Sequence, residues 1–144
     1  MVNPLQLDLQ LCFALYEASN LVTRLYRPLL EPLGLTYPQY LAMLALWERA
    51  PRTVGEIGET LGLDSGTLTP LLKRLEAGGL ISRRRDPLDE RRVNIDVTLA
   101  GAKLREQALS VPEAILCQLK LPVGDLAGLH GMLHRLIDAL HEAT

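Results

Sequence analysis

Residues 65–97, SGTLTPLLKRLEAGGLISRRRDPLDERRVNIDV, constrain the fold more tightly than any other stretch of the chain. Leu68, Leu71, Leu72 and Leu75 recur at i, i+3, i+4 and i+7, the stripe of a helix with one buried face. Gly78 and Gly79 end that helix. Pro70 has no N–H to give, so it belongs near the first turn, and Thr67 becomes the expected N-cap with Ser65 and Gly66 just outside. "LISRRR" and "RVNIDV" read as paired strands. In the second, Val93, Ile95 and Val97 alternate with Asn94 and Asp96, and "DPLDE" between the two supplies turn chemistry. Upstream, Thr53 and Glu56 form a capping box ahead of a short helix carrying Ile57 and Leu61, and "GLDSG" turns the chain. The two short helices alone fit any helical hairpin. Followed by a basic β-hairpin, they make a helix-turn-helix with a wing.

The flanks are helical. Leu11, Leu15, Ala18, Val22, Leu25 and Leu29 recur in steps of four and three, a coiled-coil-like seam that Pro28 should kink or end. A helix from Tyr37 to Glu48 follows, with Thr36 as its N-cap and Pro38 in its first turn. After the wing, Thr98 caps a helix to about Leu109, a second runs through Cys117, and a terminal one reaches about His141. These apolar helices exceed what one small winged domain needs to cover itself, so they read as an association surface, and a homodimer suits a reader of palindromic DNA. The expected fold is mainly α with a small β-hairpin, one protomer over 1–144. Residues 36–98 form the winged helix-turn-helix, and 1–35 with 99–144 form the dimerisation helices.

The net charge is only −2, yet the window from Lys73 to Arg92 carries +3, leaving −5 on the remainder. A basic strip on an acidic body points to a focused phosphate contact. With the leucines inward, Ser65, Thr67, Thr69, Lys73 and Arg74 are left outward or at the helix N-terminus, whose unpaired N–H groups also suit phosphate. Arg84 and Arg85 extend the basic strip onto the hairpin. Arg91 or Arg92 at the wing tip is long enough to enter a minor groove, and Asp89 is placed to orient Arg91 through a bidentate pair. The competing reading of each residue is ordinary capping or a solvated charge. No cationic-then-apolar leader or membrane-length apolar run is present, so a cytoplasmic protein with no membrane partner is expected. Neither a phosphate-binding glycine loop nor a G-x-S-x-G elbow occurs, and no enzyme activity or cofactor is expected. The two cysteines lack the clustering with histidine that zinc requires. His130, His134 and His141 share a helical face without a carboxylate arranged for ligation, so no metal is expected.

Residues 65–101 resemble the recognition helix and wing of the multiple-antibiotic-resistance regulator (MarR) family, whose wing carries a D-x-R motif, here Asp89-Glu90-Arg91. The N-terminal "LCFALY…LYRPLL…LGLTYPQYLAMLALWE" resembles a narrower group, the organic hydroperoxide resistance regulators (OhrR). The resemblance weakens after about Leu109. It implies a dimeric repressor that releases operator DNA when an organic hydroperoxide oxidises the N-terminal cysteine. Cys12 matches the sensing cysteine, Tyr26 and Tyr37 match the tyrosines that hydrogen-bond it, Tyr16 lies near, and Cys117 fits the resolving thiol of the two-cysteine members.

Geometry bears on the cysteine independently. Cys12 and Tyr16 are one helical turn apart. Cys12 and Tyr26 share nearly the same stripe but lie ~21 Å apart along a straight helix. An antiparallel pair of these helices across a two-fold axis brings Tyr26 of one copy to Cys12 of the other. Phenol hydrogen bonds favour the thiolate, the species that attacks a peroxide. Leu11, Phe13, Leu15 and Leu46 favour a lipid or aromatic hydroperoxide over hydrogen peroxide. The readings in competition are Cys12 as plain core, a repressor released by a small lipophilic or phenolic ligand, a thiol peroxidase, and a purely structural dimer module.

Overall fold

The computed structural model describes residues 2–144. Ten regular elements follow one another: α1 (Leu11–Leu30), α2 (Tyr37–Glu48), β1 (Arg52–Thr53), α3 (Val54–Leu61), α4 (Ser65–Ala77), β2 (Ile81–Arg85), β3 (Val93–Val97), α5 (Leu99–Ala108), α6 (Val111–Leu119) and α7 (Val123–Ala143). Short 3₁₀ turns precede and follow α1. The chain divides into two compact units, one ending at Pro112 and one from Glu113 to Thr144. No helix among the described residues is long and apolar enough to cross a membrane.

The first unit is built around α2. Thr36 and Gln39 cap it reciprocally, each side chain meeting the other residue's backbone N–H at 3.3 and 3.0 Å. Tyr40, Ala42, Met43, Ala45 and Leu46 are all buried, so α2 is apolar nearly all round, as a central helix must be. Trp47 ties it to α5 by donating its indole N–H to the Gly101 carbonyl at 3.0 Å. Helix α4 packs on this centre through Leu68, Leu71, Leu72 and Leu75, as its spacing predicts.

The wing is a three-stranded antiparallel sheet in the order β1-β3-β2. The pairing of "LISRRR" with "RVNIDV" runs in the register Ile81↔Val97, Arg83↔Ile95 and Arg85↔Val93. Ile95, at the middle of the central strand, is fully buried. The third strand, Arg52–Thr53, pairs with Ile95 and Asn94. It is too short to carry a period, so the sequence shows only the hairpin. Arg52 is buried here, its guanidinium donating to the Arg49 carbonyl at 2.8 Å and the Thr60 hydroxyl at 3.1 Å.

Several boundaries move. Asp64, not Thr67, caps α4: its carboxylate accepts the Thr67 N–H at 2.8 Å and starts the helix at Ser65. Pro70 then lies inside the helix, where its missing N–H leaves the Gly66 carbonyl without that partner. Pro28 falls in the last turn of α1, which runs two residues further. At α3 the capping box is half formed. Thr53 Oγ1 accepts the Glu56 N–H, but the Glu56 carboxylate takes the Thr53 hydroxyl and bridges to Arg49 at 3.2 Å.

The second unit holds the rest of α6 and the whole of α7. No residue of α7 is buried, and Leu129, Met132, Ile137 and Leu140 stand exposed.

Candidate functional site

The basic strip of the sequence is divided by the wing: Lys73 of α4 lies beside Arg83 and Arg85 of β2, while Arg84 points to the other side of the strand, near Ser82, Asn94 and Asp96. Ser65, Thr67, Lys73 and Arg74 are exposed on α4, and Thr69 is half-buried. The helix N-terminus itself is less open to an anion than the sequence implies. The Asp64 carboxylate already accepts N–H groups there, and those bonds hold it below the usual carboxylate range. Lys73 and Arg74 are the exposed cationic side chains of α4.

At the wing tip, Asp86 and Arg92 close the turn by a backbone hydrogen bond of 2.8 Å. Asp89 does orient Arg91, in a different geometry from the expected bidentate pair. One carboxylate oxygen, Oδ1, takes both the Arg91 backbone N–H and its Nε–H, each at 3.1 Å. These bonds hold the Asp89 carboxyl below its ordinary range. The Arg91 side chain remains 92 % exposed, so the contact aims the guanidinium and adds little stability. Arg85 is partly committed, donating to the Glu90 carbonyl at 3.1 Å. Among the described residues, Lys73, Arg74, Arg84 and Arg92 make no ion pair and stay available.

The thiols and tyrosines form a second constellation. Cys12, in the first turn of α1, and Cys117, on α6, are both free and exposed. The plain-core reading of Cys12 therefore fails within the protomer. Tyr16 is 67 % exposed one turn from it. At the far end of α1, the Tyr26 ring meets that of Tyr37 on α2, with centroids 4.6 Å apart. Tyr40, which the sequence reading missed, completes a cluster 5.7 Å from Tyr26; its signal was the i, i+3 spacing from Tyr37 on α2. Burial and the two neighbouring phenols push Tyr26 up to about 12, and burial also raises Tyr37. Neither hydroxyl has a hydrogen-bond partner among the described residues. Tyr26 and Cys12 stand fourteen residues apart on one helix, so a single protomer does not join them. Leu46 is buried in α2 and lines no surface near Cys12, leaving Leu11, Phe13 and Leu15 as the apolar side chains around it.

A helix-turn-helix whose second helix adjoins a basic, arginine-tipped wing defines a winged-helix regulator. Residues 24–108 match the family model described as transcriptional regulator SarA/Rot. The chain is 50 % identical over 138 residues to the organic hydroperoxide resistance transcriptional regulator of Bacillus subtilis (strain 168), covering 96 % of this chain and 94 % of that one. Reduced AbfR bound to DNA superposes with a TM-score of 0.77 at 40 % identity, over 93 % of this chain and 94 % of that one. Disulfide-formed AbfR gives 0.65 at 42 % identity, over 89 % and 90 %. The chain belongs to the MarR family of winged-helix transcriptional regulators, and its similarity is to the family's organic hydroperoxide resistance group.

Proposed function

We propose that this chain is a redox-sensing repressor that binds operator DNA as a homodimer and releases it when an organic hydroperoxide oxidises Cys12. One observation carries the reading: an exposed thiol begins α1, and ~21 Å along the same helix Tyr26 meets Tyr37 of α2, neither hydroxyl having a partner among the described residues. Two copies of α1 running antiparallel across a two-fold axis set each Cys12 against the other subunit's Tyr26 and Tyr37, with Tyr16 beside it. Exposed Leu11, Tyr16 and Leu21 on α1 are then covered by the second copy. A phenol that ionises only near 12 keeps its proton at neutral pH, so Tyr26 is a lasting donor to a thiolate. The name of the Bacillus relative, and AbfR having been solved both reduced on DNA and as a disulfide, support the same chemistry.

The thiolate attacks the peroxide O–O bond. Sulfur gains the terminal oxygen as a sulfenic acid, and the other oxygen leaves as an alkoxide that takes up a proton to become the alcohol. The Cys117 thiol then condenses with the sulfenic acid, forming the S–S bond and releasing water. Closing that bond demands Cα atoms within about 7 Å, a constraint that changes the spacing of the two recognition helices. Half-sites sit about one DNA turn apart, so altered spacing lowers affinity. On DNA, Ser65, Thr67 and Thr69 face base edges in the major groove, while Lys73, Arg74, Arg84, Arg85 and Arg92 neutralise phosphates. Arg91, aimed by Asp89, enters the minor groove.

Mass spectrometry after one equivalent of cumene hydroperoxide tests the chemical steps. The expected product is a Cys12–Cys117 disulfide in the wild type and a trappable sulfenic acid at Cys12 in Cys117→Ser. Unmodified Cys12 in both would defeat the proposal, and many turnovers per subunit would make the protein a thiol peroxidase. A ligand-released repressor is favoured by one feature, an apolar cavity walled by Tyr40, Leu44, Trp47, Ala108 and Leu109. It encloses about 230 Å³, below the range of about 300–1,000 Å³ typical of small-molecule sites, and so ranks second.

A further inference from the structure

Glu76, in the last turn of α4, lies across the gap between the recognition helix and the wing. Strand β2 is the outer strand of the sheet, so one row of its backbone groups has no strand partner. The Glu76 carboxylate occupies that row: Oε2 accepts the Arg83 N–H at 3.2 Å. Its other oxygen, Oε1, faces the Arg83 guanidinium at 3.8 Å. Arg83 sits opposite buried Ile95, at the sheet's midpoint, and its Nε is buried without a hydrogen-bond partner, which leaves Glu76 as its neutralising group. The only covalent link between α4 and β2 is Gly78-Gly79-Leu80, with Gly79 in the left-handed region at φ 80°. Thr98 fastens the base of that link, its hydroxyl donating to the Gly79 carbonyl at 2.6 Å and its N–H to that of Leu80 at 3.1 Å. Three residues further along the strand, the Glu76–Arg83 contacts make a second tie between α4 and β2.

We infer that Glu76 is a positioning residue: by holding Arg83 it sets the angle between recognition helix and wing, so that α4 and Arg91 engage DNA together. Glu76 touches no DNA in this scheme. It is a carboxylate beside Lys73 and Arg85 on a cationic face, where a direct phosphate contact is repelled. The pair is partly exposed, with Glu76 at 42 % and Arg83 at 21 %, so its contribution to overall stability is small and its effect is angular. The inference rests on the DNA-binding reading above.

A double-mutant cycle on the full-length reduced protein tests it, measuring operator affinity at fixed salt for Glu76→Ala, Arg91→Ala and the double variant. Each single change is expected to weaken binding roughly tenfold, and the double variant to fall well short of the roughly hundredfold loss that independent effects give, because part of what a misaimed wing loses is the Arg91 contact already removed. Glu76→Gln, which keeps an oxygen acceptor for the Arg83 N–H, should recover most of the affinity. Amide exchange at Arg83 should quicken in Glu76→Ala and not in Glu76→Gln, a readout independent of DNA. Multiplying factors in the double variant, or a Glu76→Ala protein that binds like wild type while Arg91→Ala does not, would overturn the inference. Wild-type affinity in Arg91→Ala would instead remove the wing contact itself, and the inference with it.

Discussion

Tyr26 packs against the rings of Tyr37 and Tyr40 in a triangular cluster, and its ionisation carries a measurable signature. Burial, reinforced by the two neighbouring phenols, raises it from 10.0 to about 12. The folded state therefore retains a proton that the unfolded chain gives up. The associated stability is fully present below pH 10 and is lost as pH rises toward 12. Ultraviolet titration should show a phenolate step near 12 that disappears in Tyr26→Phe; a high-pH titration unchanged by that substitution would contradict the cluster. The basic face divides by role at the same scale. Lys73→Ala, which removes a proposed phosphate contact, should weaken all sequences alike and reduce the slope of log affinity against log salt by about one. Arg91→Ala should cost about 1–3 kcal/mol and relax preference at one position of the operator, measured by competition among operator variants. Cys12 shows what residue-level reading leaves open: cysteine composition favours burial, and only the placement of α1 in the fold exposes the thiol.

Helix α4 and the wing strands are legible because their periods, near 3.6 and 2, repeat long enough to be read. The elements that escape are those without a period. Two-residue β1 exists through its pairing with β3, and the start of α4 depends on Asp64 competing successfully with Thr67 for the cap. The Glu76 tie escapes for a related reason, since it joins residues whose neighbourhood is made by the turn at Gly78-Gly79. Close approach at Gly101, in the first turn of α5, belongs to the same class. A Cβ there would collide with the Leu80 carbonyl oxygen and stand 2.7 Å from Val97 Cγ1, while the Gly101 carbonyl receives the Trp47 indole. Gly101→Ala should destabilise the first unit by about 1–3 kcal/mol in chemical denaturation. An unchanged midpoint would mean that α5 is free to move away from the wing base.

In the proposed dimer the Cys12 of one protomer is served by Tyr26 and Tyr37 of the other, because Cys12 and Tyr26 lie near opposite ends of α1. A pocket shared between subunits predicts complementation. In a heterodimer of Cys12→Ser and Tyr26→Phe chains, the Cys12 of the second chain faces the intact Tyr26 of the first, so one working site remains. A pocket within each subunit leaves none. Peroxide reactivity in that heterodimer, against inert or slowed parent homodimers, distinguishes the two arrangements. Whether Cys12 is the sensor is decided by operator binding of the reduced protein at fixed salt, before and after one equivalent of an organic hydroperoxide, with Cys12→Ser beside the wild type. Both proteins should bind tightly when reduced; on oxidation the wild type should release the operator and recover on reduction by dithiothreitol, while Cys12→Ser stays bound. Equal release by the two proteins would contradict the proposal and remove the sensing role from Cys12.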